Sequence, residues 1–124
     1  MNEQERNLKL SEEWERLYNE DADRMATQCY AMEAEIEAMG LAKIEGQAAL
    51  REVEKVVDKA APNRFMRATQ RHTCGATVIV ESVLYDPDKG DDWKIPFIAV
   101  LTCKDGRIVS DRTYANWADW PGIG

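Results

Sequence analysis

Three side chains in this sequence have types suited to moving a proton. Asp111 lies in Val109-Ser110-Asp111-Arg112, an acid inside a segment with apolar flanks. In apolar surroundings desolvation raises the pKa of a carboxyl, which suits general acid/base work near neutrality. At a surface the same residue would pair with Arg112 or with an arginine on the next strand. His72, in Gln70-Arg71-His72-Thr73, is the only histidine, and histidine is the side chain whose unperturbed charge changes near pH 7. Its other reading is a partly exposed strand residue beside the Gly75 turn. Tyr30 carries a hydroxyl able to donate to a carbonyl oxygen. As a class, Trp14, Tyr18 and Tyr30 read as core packing.

Other chemistries find little support. Cys29, Cys74 and Cys103 are odd in number and widely spaced, with no CxxC pair. A disulfide framework is not suggested, and a structural zinc site would need about four N/S ligands. Reduced thiols in a cytoplasmic protein are the expectation, with no metal and no organic cofactor. The acidic turn holding Asp86, Asp88, Asp91 and Asp92 lacks the glycine and distal glutamate of a calcium loop, and reads as a solvated hairpin tip.

The chain has 124 residues and a formal charge of −7, one domain's worth of sequence. Residues 1–60 hold 15 acids and 8 bases, and residues 61–124 hold 8 of each. The acidic half reads as a solvated helical face, or else as an acidic docking surface. Nucleic acid is not expected as a partner, because phosphate contacts need clustered cations. Nor is a membrane: no apolar run approaches the roughly 20 residues of a spanning helix, and MNEQERNLK has no apolar leader segment.

The candidate residues must be positioned by two kinds of element. Up to about residue 60 the pattern is helical. Leu10, Trp14, Leu17 and Tyr18 share a helical face. Asp21 can cap a short second helix reaching about Tyr30, with Met25, Ala26, Cys29 and Tyr30 buried. Residues 33–38 alternate acid and apolar and are read as a strand, followed by a turn at Gly40. A third helix starts near Gln47, buries Leu50, Val53, Val56 and Val57, and stops at Pro62. Strands are then expected over 64–74, 77–86, 93–103 and 107–117, separated by turn chemistries that join antiparallel neighbours. Thr77 to Leu84 and Ile95 to Leu101 are apolar on both faces, which calls for helices on one side and a partner on the other. The order of elements defines an α+β domain.

In order and spacing, the chain resembles the SnoaL-like branch of the nuclear transport factor 2-like superfamily. The resemblance rests on Trp14-x3-Tyr18-Asn19-x-Asp21, Tyr30-Ala31, Ile44-Glu45-Gly46-Gln47-x2-Leu50-Arg51, Val78-Ile79-Val80-Glu81, Pro96-Phe97-x2-Val100 and Asp105-Gly106-Arg107-Ile108-x3-Arg112-x-Tyr114. It implies a single domain over 1–124 with a cystatin-like cone: a curved, mixed or antiparallel sheet wrapped around the N-terminal helices, with a deep apolar pocket at the open end. It also implies a homodimer through the outer sheet face. That interface would be built here from Ile79, Val83, Phe97, Ala99 and Leu101.

Against the family's enzymes the chain shows departures. Where ketosteroid isomerases carry their acids and a tyrosine, it reads Ala38, Ile98 and Trp14. Where limonene-epoxide hydrolases carry Arg-x-Asp and a further Asp, it reads Ser82, Leu84 and Thr113. SnoaL-type cyclases place an acid/base Asp in the last strand, and Asp111 lies two residues before that position, on the same strand face. The resemblance therefore implies isomerisation, cyclisation or dehydration of a small apolar, polyketide-, terpenoid- or steroid-like molecule. Asp111 would shuttle the proton, and His72 or Tyr30 would stabilise oxyanion charge. The pocket walls would include Trp14, Tyr18, Phe65, Val80, Ser82, Ile98 and Trp117. Trp93, Trp117 and Trp120 would form a C-terminal lid or a dimer contact. The alternative is a non-catalytic ligand-binding or association domain of the same fold.

Overall fold

The computed structural model describes residues 1–124. Helix α1 (Glu3–Glu20) starts at an Asn2 side chain that accepts from the backbone N–H of Glu5. Asp21 both ends α1 and caps α2 (Ala22–Cys29), its carboxylate accepting from the N–H groups of Asp23 and Arg24. The chain then passes directly into β1 (Tyr30–Ala38), so Tyr30 opens a strand rather than closing a helix. A short strand not expected from the sequence, β2 (Ala42–Glu45), turns back on β1 at Gly40. Its mixed composition and exposed pattern give no periodic signal.

Helix α3 (Gln47–Ala60) buries Leu50, Glu54 and Val57. This corrects the expected face, since Val56 is exposed and Val53 half-buried. The buried set is spaced i, i+4, i+7, one stripe of a regular helix, and an acid occupies its middle position.

The remaining strands are β3 (Phe65–Cys74), β4 (Thr77–Tyr85), β5 (Lys94–Lys104) and β6 (Arg107–Ala115), with a 3₁₀ turn at Trp117–Asp119. They form one six-stranded sheet in the order β2-β1-β6-β5-β4-β3. Only the β1–β6 contact is parallel, so the sheet is mixed. The helices cover its inner face, and a core of Trp14, Leu17, Met25, Val78, Leu101 and their neighbours lies between them. Polar contacts set the helices on the sheet. Asn19 both donates to and accepts from the backbone of Met66, at 2.8 and 2.7 Å. Arg71 reaches back from β3 to Ser11 and Glu15 of α1. No helix is long and apolar enough to cross a membrane.

Cross-strand register fixes which way each side chain faces. Val78, Val80 and Ser82 of β4 pair with Leu101, Ala99 and Phe97 of β5, and all six are buried on the inner face. Phe97, Ala99 and Leu101 are therefore core residues, not members of an outer interface. Ile98 and Val100 face outward beside Ile79, Glu81, Arg112 and Tyr114. An uninterrupted apolar strand carries no alternation from which its phase could be read.

The three thiols are free; Cys29 and Cys103 are buried and Cys74 is exposed. Burial pushes both buried thiols up to about 11, which starves them of reactive thiolate. A thiol reagent at neutral pH is expected to modify Cys74 rapidly in native protein and all three residues after denaturation. Rapid reaction of two or three in the native state would contradict this packing.

Candidate active site

A β-bulge sets the phase of the last strand. Thr102 pairs with Ser110 but Cys103 pairs with Ile108, so Val109 is the extra residue. The bulge turns both Ile108 and Asp111 inward, a local device often found beside active sites. Asp111 is only 5% exposed. Its Oδ2 accepts from the Tyr30 hydroxyl at 2.6 Å, and its Oδ1 accepts from the Thr113 hydroxyl at 2.7 Å. The Trp14 indole N–H donates in turn to the Tyr30 oxygen at 3.0 Å. A relay thus runs from α1 through the first residue of β1 to the middle of β6. Burial raises the Asp111 carboxyl above its ordinary value, against the opposing pull of Tyr30, Thr113 and the Arg112 charge. The Tyr30 hydroxyl is raised as well, by burial first and then by the Asp111 charge.

A second buried carboxyl comes from α3. Glu54 Oε2 accepts from Arg64 at 3.1 Å, while Oε1 makes no hydrogen bond. Arg64 is itself held by Asp58 at 2.7 Å, by the Ala61 carbonyl at 3.2 Å and by the Tyr18 hydroxyl at 2.8 Å. Burial outweighs the attraction of Arg64 and pushes the Glu54 carboxyl up to about 7, with Asp58 and Asp111 adding in the same direction.

A cavity of about 90 Å³ joins these groups. Trp14, Tyr18, Tyr30, Glu54, Asp111 and Thr113 border it, and Trp117 and Trp120 close its end. The Trp117 indole donates to the Met39 carbonyl at 2.8 Å, and Trp120 meets Phe97 edge-on at 5.4 Å. Gly122 lets the tail pass against α3: its φ is +79°, and a Cβ there would lie 3.0 Å from the Val56 carbonyl. Within the chain, the two C-terminal tryptophans therefore pack over the cavity. Trp93 stands apart, packed on the core edge with the Lys89 ammonium over its ring. A larger groove of about 780 Å³ along Met32–Glu37, Lys43 and Ser110–Arg112 is open and polar. The smaller cavity is the better site for chemistry, because it brings both buried carboxyls among aromatic walls.

Of the residues expected in the site, Asp111, Tyr30, Trp14, Tyr18 and Trp117 meet at this cavity. The others lie elsewhere. His72 is on the outer sheet face, half-exposed, with Nε2 2.6 Å from Glu81. Phe65 stacks on Tyr85 on that outer face, and Ile98 is 40% exposed there. Val80 and Ser82 face inward but are core residues away from the cavity. The cause is strand phase, since the bulge in β3 between Ala68 and Gln70 and the unmarked phase of β5 decide which residues turn in. Sequence reasoning missed Glu54, Arg64 and the bond from Thr113. The signal for Glu54 was present as an acid at i+4 between Leu50 and Val57. No group of three or more His, Cys, Asp or Glu side chains is placed to hold a metal ion.

A six-stranded mixed sheet around three helices, with a buried carboxyl inside the cone, defines an α+β fold of the nuclear transport factor 2-like kind. The chain belongs to the SnoaL-like domain family, whose profile matches residues 11–111. No curated protein sequence matches it significantly. Among solved structures it is similar to a Bacillus subtilis protein provisionally named an isomerase. The identity is 24%, the TM-score is 0.79, and 94% of this chain and 91% of that one are covered. It is similar to a Jannaschia protein provisionally named a SnoaL-like polyketide cyclase, at 14% identity and TM-score 0.78, covering 94% and 89%. It also resembles a Catenulispora acidiphila protein of ketosteroid isomerase-like fold in complex with trimethylamine, at 20% identity and TM-score 0.72, covering 85% and 83%. Likeness at these identities concerns the fold.

The raised Glu54 carboxyl has a consequence for stability. A carboxyl whose pKa is about 7 in the folded chain against an ordinary 4.5 favours folding below the lower value. That contribution is lost as pH rises through the higher one. The shift corresponds to about 3 kcal/mol at 1.36 kcal/mol per unit. Urea unfolding at a series of pH values is expected to show stability falling from about pH 5 to pH 8, and Glu54→Gln to flatten most of that fall. Asp111 contributes in the same direction. Stability that rises across this window would contradict the assignment.

Proposed function

We propose that this protein is an acid/base enzyme acting on a small carbonyl compound, with Asp111 as the proton carrier. One observation carries the reading: a carboxyl buried in an aromatic cavity, with each oxygen held by a single side-chain hydroxyl. One lone pair on each oxygen is left for a substrate proton. The Asp111 carboxylate takes the proton from a carbon next to the carbonyl. The C–H bond breaks, an O–H bond forms on Asp111, and the electron pair moves onto the carbonyl oxygen as an enolate. Once Asp111 is protonated, the Tyr30 hydroxyl is released to donate to that oxygen, with the Trp14 N–H still holding it in place. Returning the proton to another carbon gives isomerisation. Attack of the enolate carbon within the same molecule gives cyclisation, and loss of a β-hydroxyl gives dehydration.

The cavity limits the substrate. About 90 Å³ is far below the roughly 300–1,000 Å³ of sites for drug-sized ligands, so a compound of few heavy atoms is favoured over a steroid or a full polyketide. The presence of trimethylamine with a structure of this fold is in keeping with small ligands. The reading is tested by following α-deuteration of small enolisable ketones in D₂O by proton NMR, with and without the protein. Deuteration faster than buffer alone is expected, and none would refute it.

A further inference from the structure

We propose that the molecule bound in this cavity carries a positive charge, so that the substrate class is a small alkylammonium carbonyl compound with its cationic end seated at Glu54. The proposal rests on the cavity being the functional site and adds the charge of its occupant. The first ground is the composition of the walls. Trp14, Tyr18, Tyr30, Trp117 and Trp120 border the space, and no lysine, arginine or histidine does. Aromatic faces attract cations through their quadrupole, most strongly where water is excluded, and aromatic cages are a recurring answer to alkylammonium ligands.

The second ground is the acceptor left over on Glu54. Glu54 is nine-tenths buried, and only one of its oxygens is used, by Arg64. The neighbouring cation cannot serve a ligand. Its side chain is 4% exposed and is committed to Glu54, Asp58, Tyr18 and the Ala61 carbonyl. Glu54 borders the cavity, and its Oε1 has no donor in the protein, so a ligand is free to supply one. A ligand N–H or an N-methyl group of an ammonium would do so.

The third ground is repulsion. Asp111 borders the same small space as Glu54, and no lysine, arginine or histidine lines it, so an anionic ligand would meet carboxylates and no lining cation. Size agrees as well: about 90 Å³ suits a trimethyl- or dimethylammonium head and a short carbonyl arm.

The test uses three probes of similar shape and different charge: tetramethylammonium, tert-butanol and trimethylacetate, at matched ionic strength. Three of the four tryptophans border the cavity, so intrinsic fluorescence reports occupancy directly. Tetramethylammonium is expected to bind at least about tenfold more tightly than tert-butanol, with trimethylacetate the weakest. Glu54→Gln is expected to remove most of that preference. Equal or tighter binding of tert-butanol, or no response to any probe, would overturn the proposal. If tert-butanol binds without a preference for the cation, the charge assignment fails while the role of Asp111 is decided separately by deuteration. Because the ranking is read on the wild-type protein, it stands even if Glu54→Gln folds poorly.

Discussion

Asp111→Asn is expected to lose about 10²- to 10⁴-fold in the rate of proton abstraction, the usual cost of removing a positioned general base, while keeping its fold. The amide preserves the shape but not the proton capacity. Its stability cost is small because two effects oppose. One of the two hydroxyls that now meet a carboxylate oxygen would face an N–H₂ group, losing a hydrogen bond worth about 0.5–1.5 kcal/mol. The buried charge disappears at the same time, and burial is what holds the Asp111 carboxyl above its ordinary value. Because that folded-state pKa is raised, wild-type protein loses stability as pH rises through it, so the variant should compare best at high pH. Thermal melts of both proteins at several pH values check this. A steep drop in melting temperature at every pH would assign Asp111 to structure instead.

Arg64→Ala is expected to cost about 3–5 kcal/mol, the range for removing one partner of a buried ion pair. The loss strands two groups at once: Glu54 and the Tyr18 hydroxyl. It also removes the guanidinium lying 4.9 Å over the Tyr18 ring. Arg64→Lys keeps the charge but not the planar fork, so it should fall between alanine and wild type. The deficit depends on pH with a definite sign. Protonated Glu54 needs no counter-charge, so the alanine variant should lose less near pH 5 than near pH 8. Urea denaturation at both values measures the difference, and equal deficits would mean that Arg64 stabilises the fold without reference to Glu54.

Much of the fold was legible because local signals agreed with the final arrangement. Asp21 as a cap, Pro62 after α3 and the turns at Gly75 and Lys104-Asp105-Gly106 all mark boundaries through backbone chemistry that is independent of packing. Tyr30 and Asp111 were legible as chemical candidates from residue type, a hydroxyl at an element boundary and an acid within an apolar-flanked strand. What was not legible is phase. The bulge at Val109 turns Asp111 inward, and its presence depends on the partner strand rather than on the residues themselves. Ile98 and Phe97 could not be told apart as outward and inward within an all-apolar strand. Register across β4 alone decides between them. The pairing of β1 with β6, which brings Tyr30 to Asp111 across 81 residues, is a tertiary fact with no local trace. Glu54 was overlooked for a different reason: an acid in an amphipathic helix is assigned to solvent by default. Its i+4 spacing from Leu50 was the available counter-signal.

The most direct test of the central role given to Asp111 is a side-by-side deuteration rate. Wild-type protein and Asp111→Asn, at equal concentration in D₂O, are each incubated with a set of small ketones that includes one bearing a trimethylammonium group. Loss of the α-proton signal is followed by NMR. Wild-type protein should exchange at least one member of the set well above the buffer rate, and Asp111→Asn should fall by about 10²-fold or more towards that background. Equal exchange by both proteins above the buffer rate would contradict Asp111 as the proton carrier.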